Sequence, residues 1–350
     1  MQTAASDGSP SNNFAVLRVK RNLLSESYVG ILATNKEYAG GYNRGLGGDA
    51  DFRFSNFIGT NTLDVGAALA ATQTPGLVGN NLAYRAYVDY PNDLIDHFIG
   101  FRGVQENFNP EVGFVYRRGN QLSWHLVYAP RPGVLGIRQL FFKPVDLEYY
   151  WDVNNKPESA RWEWRPLGFL LQSGEYFEFN IQRVFDRLDD SFEIFPGDTI
   201  PQASYLFTHY ELQFATNQSR PISAWFFYNW GKFYTGYYKR FIIETTLKMG
   251  SHFSCSATYD RDDVSLLTGD FAAKQFQTSV DYAFSTRLNT TVYAQWNNED
   301  NFININFRLH WILQIGSEVY LVYNQLLTPS GKIRPALSTL LAKVAYRFVI

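Results

Sequence analysis

The 350-residue chain carries 31 Lys and Arg against 33 Asp and Glu, a formal net charge of -2, with 45% hydrophobic and 18% charged residues. This balance excludes a disordered chain, leaves ample apolar material for a packed structure, and offers no composition argument for nucleic acid. A lone cysteine, Cys255, permits neither an internal disulfide nor a cysteine metal pair, and its phase with Phe253, Ala257 and Tyr259 makes it a small packing residue.

Aromatic residues are the outlier at 17%, with 23 Tyr, 29 Phe and 8 Trp. Such rings are favoured where apolar and wet regions meet. No run of about 18 apolar residues occurs, which excludes an ordinary transmembrane helix. The segment Met1 to Asn13 is polar and lacks the apolar centre of a secretory signal, so either a signal has been removed or the chain is a piece of something longer.

Helical stripes are missing, and period-2 alternation follows from one end to the other. It predicts nineteen strands, over 14–21, 27–35, 48–56, 62–72, 81–90, 94–105, 121–130, 137–152, 160–172, 175–186, 203–216, 221–232, 236–249, 252–261, 274–285, 287–297, 302–313, 316–325 and 338–349. Leu82, Tyr84, Ala86 and Val88 face away from Arg85, Tyr87 and Asp89. The phase slips at Lys143-Pro144, as a proline at a β-bulge would cause. In 274–297, Phe276, Val280, Tyr282, Phe284, Val292 and Trp296 share one face, and Gln275, Gln277, Asp281 and Gln295 share the other. Ile305 and Phe307 continue the apolar face, and Tyr346 and Phe348 end it.

Tight turns, such as 285–287 and 249–251, alternate with longer loops over 36–47, 106–120, 187–202, 262–273 and 326–337. Short turns on one rim and long loops on the other describe a transmembrane barrel with its tight turns in the periplasm. A closed bacterial barrel normally has an even strand count and both termini at the periplasmic rim. Nineteen strands place residues 1–13 at the wrong rim, so either 111–118 supplies a twentieth strand, or an upward strand precedes residue 14 in a longer parent, or the ring closes with 18.

The polar face collects Arg85, Asp89, Arg102, Arg138, Glu148, Arg161, Glu163, Arg165, Glu178, Glu211, Arg240, Glu244, Lys248, Asp281, Arg287, Arg308, Glu318, Lys343 and Arg347. So many charges cannot form a dry core, because each unpaired buried charge costs several kcal/mol. They line a wet, pore-lining wall of mixed sign or pair across strands to stiffen it. Aromatic clusters near strand ends, including Tyr149 to Trp151 and Trp225 to Trp230, read as girdles at the membrane interfaces.

Catalysis finds little support. His97, His125, His209, His252 and His310 are scattered over five strands, three of them (His209, His252 and His310) on the polar phase, and no nucleophile elbow or phosphate loop accompanies them. The carboxylates around 186–198 and 260–270 match no fixed calcium-loop spacing and read as solvated loops. Neither a metal nor another cofactor is expected. Segment 187–202 is long enough to fold back and narrow a wide barrel.

Asn12 to Arg21, Ser27-Tyr28-Val29-Gly30, Gly41-Tyr42-Asn43-Arg44, Gly47-Gly48-Asp49 and Asn109-Pro110-Glu111-Val112-Gly113-Phe114 with Arg117-Arg118 resemble an uncharacterised family of bacterial outer-membrane proteins. Members join an N-terminal carbohydrate-binding-like module to a C-terminal β-barrel. The resemblance implies that this chain is the barrel part, and it brings no catalytic or ligand residues. The alternating Leu340 to Phe348 end is similar to the terminal strand that outer-membrane proteins present to the barrel assembly machinery, although Val349-Ile350 departs from the usual terminal aromatic. The expectation is therefore an all-β, antiparallel transmembrane barrel of about 18–20 strands, one domain over 14–350, in contact with outer-membrane lipid. Its expected role is a porin-like conduit for small polar solutes, with a closed, glycan-binding or anchoring surface barrel as the alternative and an outer-membrane hydrolase using His209, His252 or His310 as a third.

Overall fold

The structure, a computed structural model, describes residues 2–3, 11–329 and 333–348. Among these the regular structure is entirely β. The strands in chain order are β1 (Gln2–Thr3), β2 (Asn12–Leu23), β3 (Ser27–Tyr38), β4 (Gly41–Phe54), β5 (Leu63–Gln73), β6 (Leu82–Pro91), β7 (Ile95–Val104) and β8 (Gly119–Tyr128). They continue as β9 (Ile137–Leu140), β10 (Phe142–Trp151), β11 (Pro157–Leu171), β12 (Tyr176–Arg187), β13 (Phe192–Phe195), β14 (Asp198–Ile200), β15 (Ser204–Ala215) and β16 (Ile222–Phe233). The last are β17 (Gly236–Met249), β18 (Phe253–Ser265), β19 (Asp270–Ser285), β20 (Leu288–Asn297), β21 (Ile303–Gln314), β22 (Ser317–Thr328) and β23 (Arg334–Ala345).

Twenty-one of these make one sheet, and β13 and β14 form a separate hairpin. Each wall strand pairs antiparallel with the next in sequence. β9 and β10 are two halves of one strand, both laid on β11. β1 pairs only at Asn12 and Asn13, so the wall has nineteen full positions, matching the nineteen spans read from the alternation. Among the described residues no pairing joins β23 to β2, and the sheet is not closed.

Three expected loops are largely strand. Segment 36–47 is a turn at Ala39-Gly40, with Gly40 at φ 90°, and β4 begins at Gly41. The glycines that made it look irregular sit where cross-strand neighbours need room. A Cβ on Gly45 would lie 2.5 Å from Thr34 Oγ1. Likewise β18 and β19 run through most of 262–273, and β22 and β23 through most of 326–337.

Conversely, 111–118 is no twentieth strand. Gly113 N bonds back to Pro110 O at 2.8 Å, and Phe114 and Tyr116 lie 83% and 86% exposed. The phase slip at Lys143-Pro144 is a bulge between Lys143 and Asp146. A second bulge falls one strand over, between Trp164 and Leu167 at Arg165-Pro166. Val349 and Ile350 lie outside the described residues, and β23 ends at Ala345.

The two faces are packed oppositely. On a rolled sheet, side chains converge on the concave face and splay on the convex one. The buried residues include Gln121, Lys143, Glu163, Glu178, Asn180, Glu211 and Asn229, all on the polar face. Trp124, Trp162, Trp164, Tyr210, Phe276 and Tyr282 on the apolar face are each more than a third exposed. The polar face is therefore the inner one.

One backbone contact offers a test. A methyl group on Gly236 would collide with the Ser265 carbonyl of β18, whereas on Gly48 its nearest neighbour, Gly30 O, is 3.6 Å away. Gly236→Ala should destabilise the fold by about 1–3 kcal/mol, since no rotamer relieves a backbone clash. Gly48→Ala should be nearly neutral in the same urea-unfolding measurement.

Candidate functional site: the polar inner wall

The inner wall divides into three arcs. On the first, Arg85 and Arg102 are direct cross-strand partners. Like charges so placed repel, and among the described residues no carboxylate lies within ion-pair distance of either. The Arg85 guanidinium is held over the Tyr87 ring at 4.5 Å. With Gln121, Ser123, Glu148 and Tyr150 the pair lines a recess of about 310 Å³. Gln121 is buried, and its Oε1 has no partner.

The second arc, over β10 to β16, is a dense polar network. Lys143 Nζ reaches Glu163 at 2.6 Å and Asp146 at 3.0 Å, and Arg161 adds a second bond to Glu163 at 3.1 Å. Arg165 pairs with Glu178 at 2.7 Å and donates to Asn180 Oδ1 at 2.9 Å. Glu211 has no cation. It accepts instead from Asn180, Gln182, Gln213 and Asn229 at 2.9, 3.0, 2.8 and 3.4 Å. Asn180, fully buried, and Gln213 each also donate to Glu178. Asn229 Oδ1 is left without a partner, but a network otherwise this densely bonded stiffens a wall rather than inviting a solute.

The third arc, over β17 to β20, is acidic. Arg240 pairs with Asp260 at 2.8 Å and lies 3.6 Å from Asp262, and these line a recess of about 260 Å³ with Gln275, Asn297 and Glu299. Further round, Asp281 accepts from Thr291 at 2.6 Å, and Glu318 takes His310 at 3.1 Å. Glu244, Lys248, Arg308 and Lys343 share this face by register.

Five sequence assignments shift. Arg138 points away from Gln139, whose register with Leu170 and Tyr176 places that glutamine inside, so Arg138 lies on the outer face. Arg287 sits in the β19–β20 turn, and Tyr346, Arg347 and Phe348 lie beyond the end of β23. On the opposite face, register aligns Phe276 with Trp296 and Val280 with Val292 and Phe307, while Ile305 lies opposite Ala294. Tyr282 and Phe284 continue that face to the turn, their rings 4.8 Å apart.

Two loops fold inward over the wall. The β13–β14 hairpin drives Ile200, fully buried, onto Val264 and Leu266, and stacks Phe195 on Phe271 at 4.4 Å. The 105–118 loop is tied down by buried Asn43, which donates to Asn109 O at 2.6 Å and accepts from Glu111 N at 3.2 Å, and by a Lys36–Glu111 pair at 2.7 Å. Alternation reads the end of this second loop, 111–118, as a possible strand and gives no sign of its inward fold, which depends on the contact between Asn43 and Asn109-Pro110-Glu111.

The histidines do not converge. His209 is buried, its Nε2 2.8 Å from Lys232 O, amid Phe207, Phe233 and Tyr238. His252 meets Ala283 O, His310 stacks on Tyr320, and His125 lies 3.7 Å from both Asp96 and Asp146. Among the described residues no cluster of metal-ligating side chains occurs.

No known protein family matches the chain, and no curated relative does. Solved structures do. One is the copper transporter OprC, 9% identical with a TM-score of 0.42, over 95% of this chain and 63% of the transporter. Another is OmpT (in-vitro folded), an outer membrane protein of Vibrio cholerae, 11% identical with a TM-score of 0.31, over 97% of this chain and 96% of that one. At these scores the likeness carries no functional inference. The chain spans less than two thirds of the transporter's length.

Two outcomes follow. Glu211→Ala strands the Asn229 amide and takes one of two acceptors from Asn180, Gln182 and Gln213 in a buried site, and should cost about 1–3 kcal/mol, with Glu211→Gln costing less; urea unfolding followed by tryptophan fluorescence measures both. At the tight-turn rim, the Arg131 guanidinium, at 2.6 Å, holds Asp93 below the usual carboxylate range. A depressed value stabilises above the unfolded pKa and is lost as pH falls through the folded one. The stability difference between wild type and Asp93→Asn should therefore be small, constant above about pH 5, and vanish on acidification.

Proposed function

We propose that the chain is a transmembrane β-barrel of a bacterial outer membrane, and that its polar interior is a porin-like conduit for small polar solutes, saccharides among them. The observation that carries this reading is the inverted packing of the faces. Glu211 is 7% exposed on the inner face, while Trp162 is 48% exposed on the outer. Water would punish that arrangement and lipid rewards it. A soluble sandwich or propeller would bury the tryptophans and expose the carboxylates.

Nineteen strands about 4.8 Å apart and tilted about 40° enclose a ring roughly 35–40 Å across, more than its side chains can fill. The interior is then wet unless loops obstruct it. Unpaired Arg85 and Arg102 on one arc and Asp260, Asp262 and Glu299 on another give the lumen opposed charge, suited to polar solutes of either sign. The two inward loops favour the second reading, a closed barrel whose surface binds glycans.

Reconstitution in a planar bilayer separates them. An open conduit gives discrete conductance steps, and deleting the hairpin over residues 190–199 should enlarge them. An unchanged step after deletion would remove the hairpin as the constriction. Silence with retained saccharide binding would select the second reading, and solubility without detergent, with no heat-modifiable gel shift, would reject the barrel.

A further inference from the structure

The outer face at the loop-bearing rim is not uniformly apolar. The β16–β17 hairpin turns early, at Tyr234-Thr235, whereas β15 and β18 run on to Ser204 and Ser265. The β15–β16 ladder stops at His209 opposite Gly231, where a side chain on Gly231 would strike Thr208 O. Above this point the wall is notched, and a groove of about 1180 Å³ opens there, lined chiefly from the outer face of β12 and β15 to β19 and also by the inner-phase residues Phe207, Tyr238, Val264 and Phe271.

Arg183, Lys232 and Lys239 line it, with Tyr210, Trp230 and Tyr237 between them. Register puts all six on the outer face: Arg183 opposite Thr208, Tyr210 opposite Trp230, Trp230 opposite Lys239 and Lys232 opposite Tyr237. Among the described residues none of the three cations makes an ion pair. The carboxylate opposite Lys239, Asp263, is bound by Arg261 at 2.7 Å, and the groove's other acid, Asp270, is bonded to Ser265. Cations facing lipid are costly at the bilayer midplane, and the cost falls toward the interface. Here they stand among interfacial aromatics, above an apolar band that includes Phe226, Phe241 and Ile243.

We infer that this groove is a binding site for a phosphate-bearing lipid of the outer leaflet. Arg183, Lys232 and Lys239 hold the headgroup phosphates by charge-assisted hydrogen bonds. Tyr210, Trp230 and Tyr237 take the glycerol or sugar region and the first acyl methylenes. The inference rests on the barrel reading and adds a lipid partner to it.

The test is native mass spectrometry of the detergent-purified full chain, offered two lipids with identical acyl chains, one with a phosphorylated headgroup and one without phosphate. Wild type should retain the phosphorylated lipid at least tenfold over the other. Arg183→Gln with Lys232→Gln and Lys239→Gln should abolish that preference while keeping the heat-modifiable shift of a folded barrel. Arg183→Lys with Lys232→Arg and Lys239→Arg should restore it. Equal retention of both lipids by wild type, or an undiminished preference in the folded triple glutamine variant, overturns the inference. Either result leaves the barrel intact if the protein still inserts and conducts, whereas a chain that stays soluble without detergent fails the earlier reading instead.

Discussion

A strand's side chains alternate with a period of two, and a ladder transmits that phase from each strand to the next. A slip of one residue anywhere would exchange the faces of everything downstream. With nineteen positions in series, the wall depends on this phase being held at every pairing. The register from β11 to β12 and on to β19 shows how it is kept: Glu163, Gln182, His209 and Gly231 occupy one inner row, and on the next strands Arg240, Asp262 and Ala273 lie level on the same side. The inverted faces, the polar inner arcs and the outer-face groove are all consequences of that one phase.

At the paired prolines the phase is interrupted in register. Lys143-Pro144 on β10 and Arg165-Pro166 on β11 each insert a bulge, and Lys143 and Arg165 are direct cross-strand partners. A proline cannot donate to the ladder, and facing bulges confine the loss to one place on two strands. They also bring two cations together on the inner wall. Glu163 and Glu178 answer that juxtaposition, at 2.6 and 2.7 Å, and the amides of Asn180, Gln182 and Gln213 carry the network on to Glu211. The stiffest part of the wall is thus built around its largest backbone irregularity.

Alternation made the strands, their number and the composition of each face legible, because period and burial are local properties of the sequence. The first of the paired prolines was legible too, and the second is marked in the same way, by the shift of the apolar phase from Trp162 and Trp164 to Leu167 and Phe169 across Arg165-Pro166. Glycine-rich 41–48 misled for a different reason: in isolation it looks like a turn, and only Thr34 across the strand pair shows why a side chain is excluded. Partnership was least legible. Nothing in the spacing distinguishes Arg85, unpaired beside Arg102, from Arg240, paired with Asp260, since the difference lies in which strands become neighbours. The inward fold of 105–118 depends in the same way on Asn43, sixty-odd residues away in sequence.

The edges impose the final demand. Nineteen consecutive antiparallel strands leave β2 and β23 running in the same direction. In water an unpaired edge costs little, but in hydrocarbon each unmet N–H or C=O costs several kcal/mol. A ring can satisfy both edges by a parallel β2–β23 pair or by one further antiparallel strand between them. The two residues of β1, antiparallel on Asn12 and Asn13, take up the second geometry where they lie. Either closure preserves the faces, because Leu17 and Val19 on β2 and Leu340 and Val344 on β23 are already exposed on the outer side, while Arg18 and Lys343 lie on the inner. Either pairing would add hydrogen bonds without asking any side chain to change sides, which is what a wall whose order is carried entirely by phase requires.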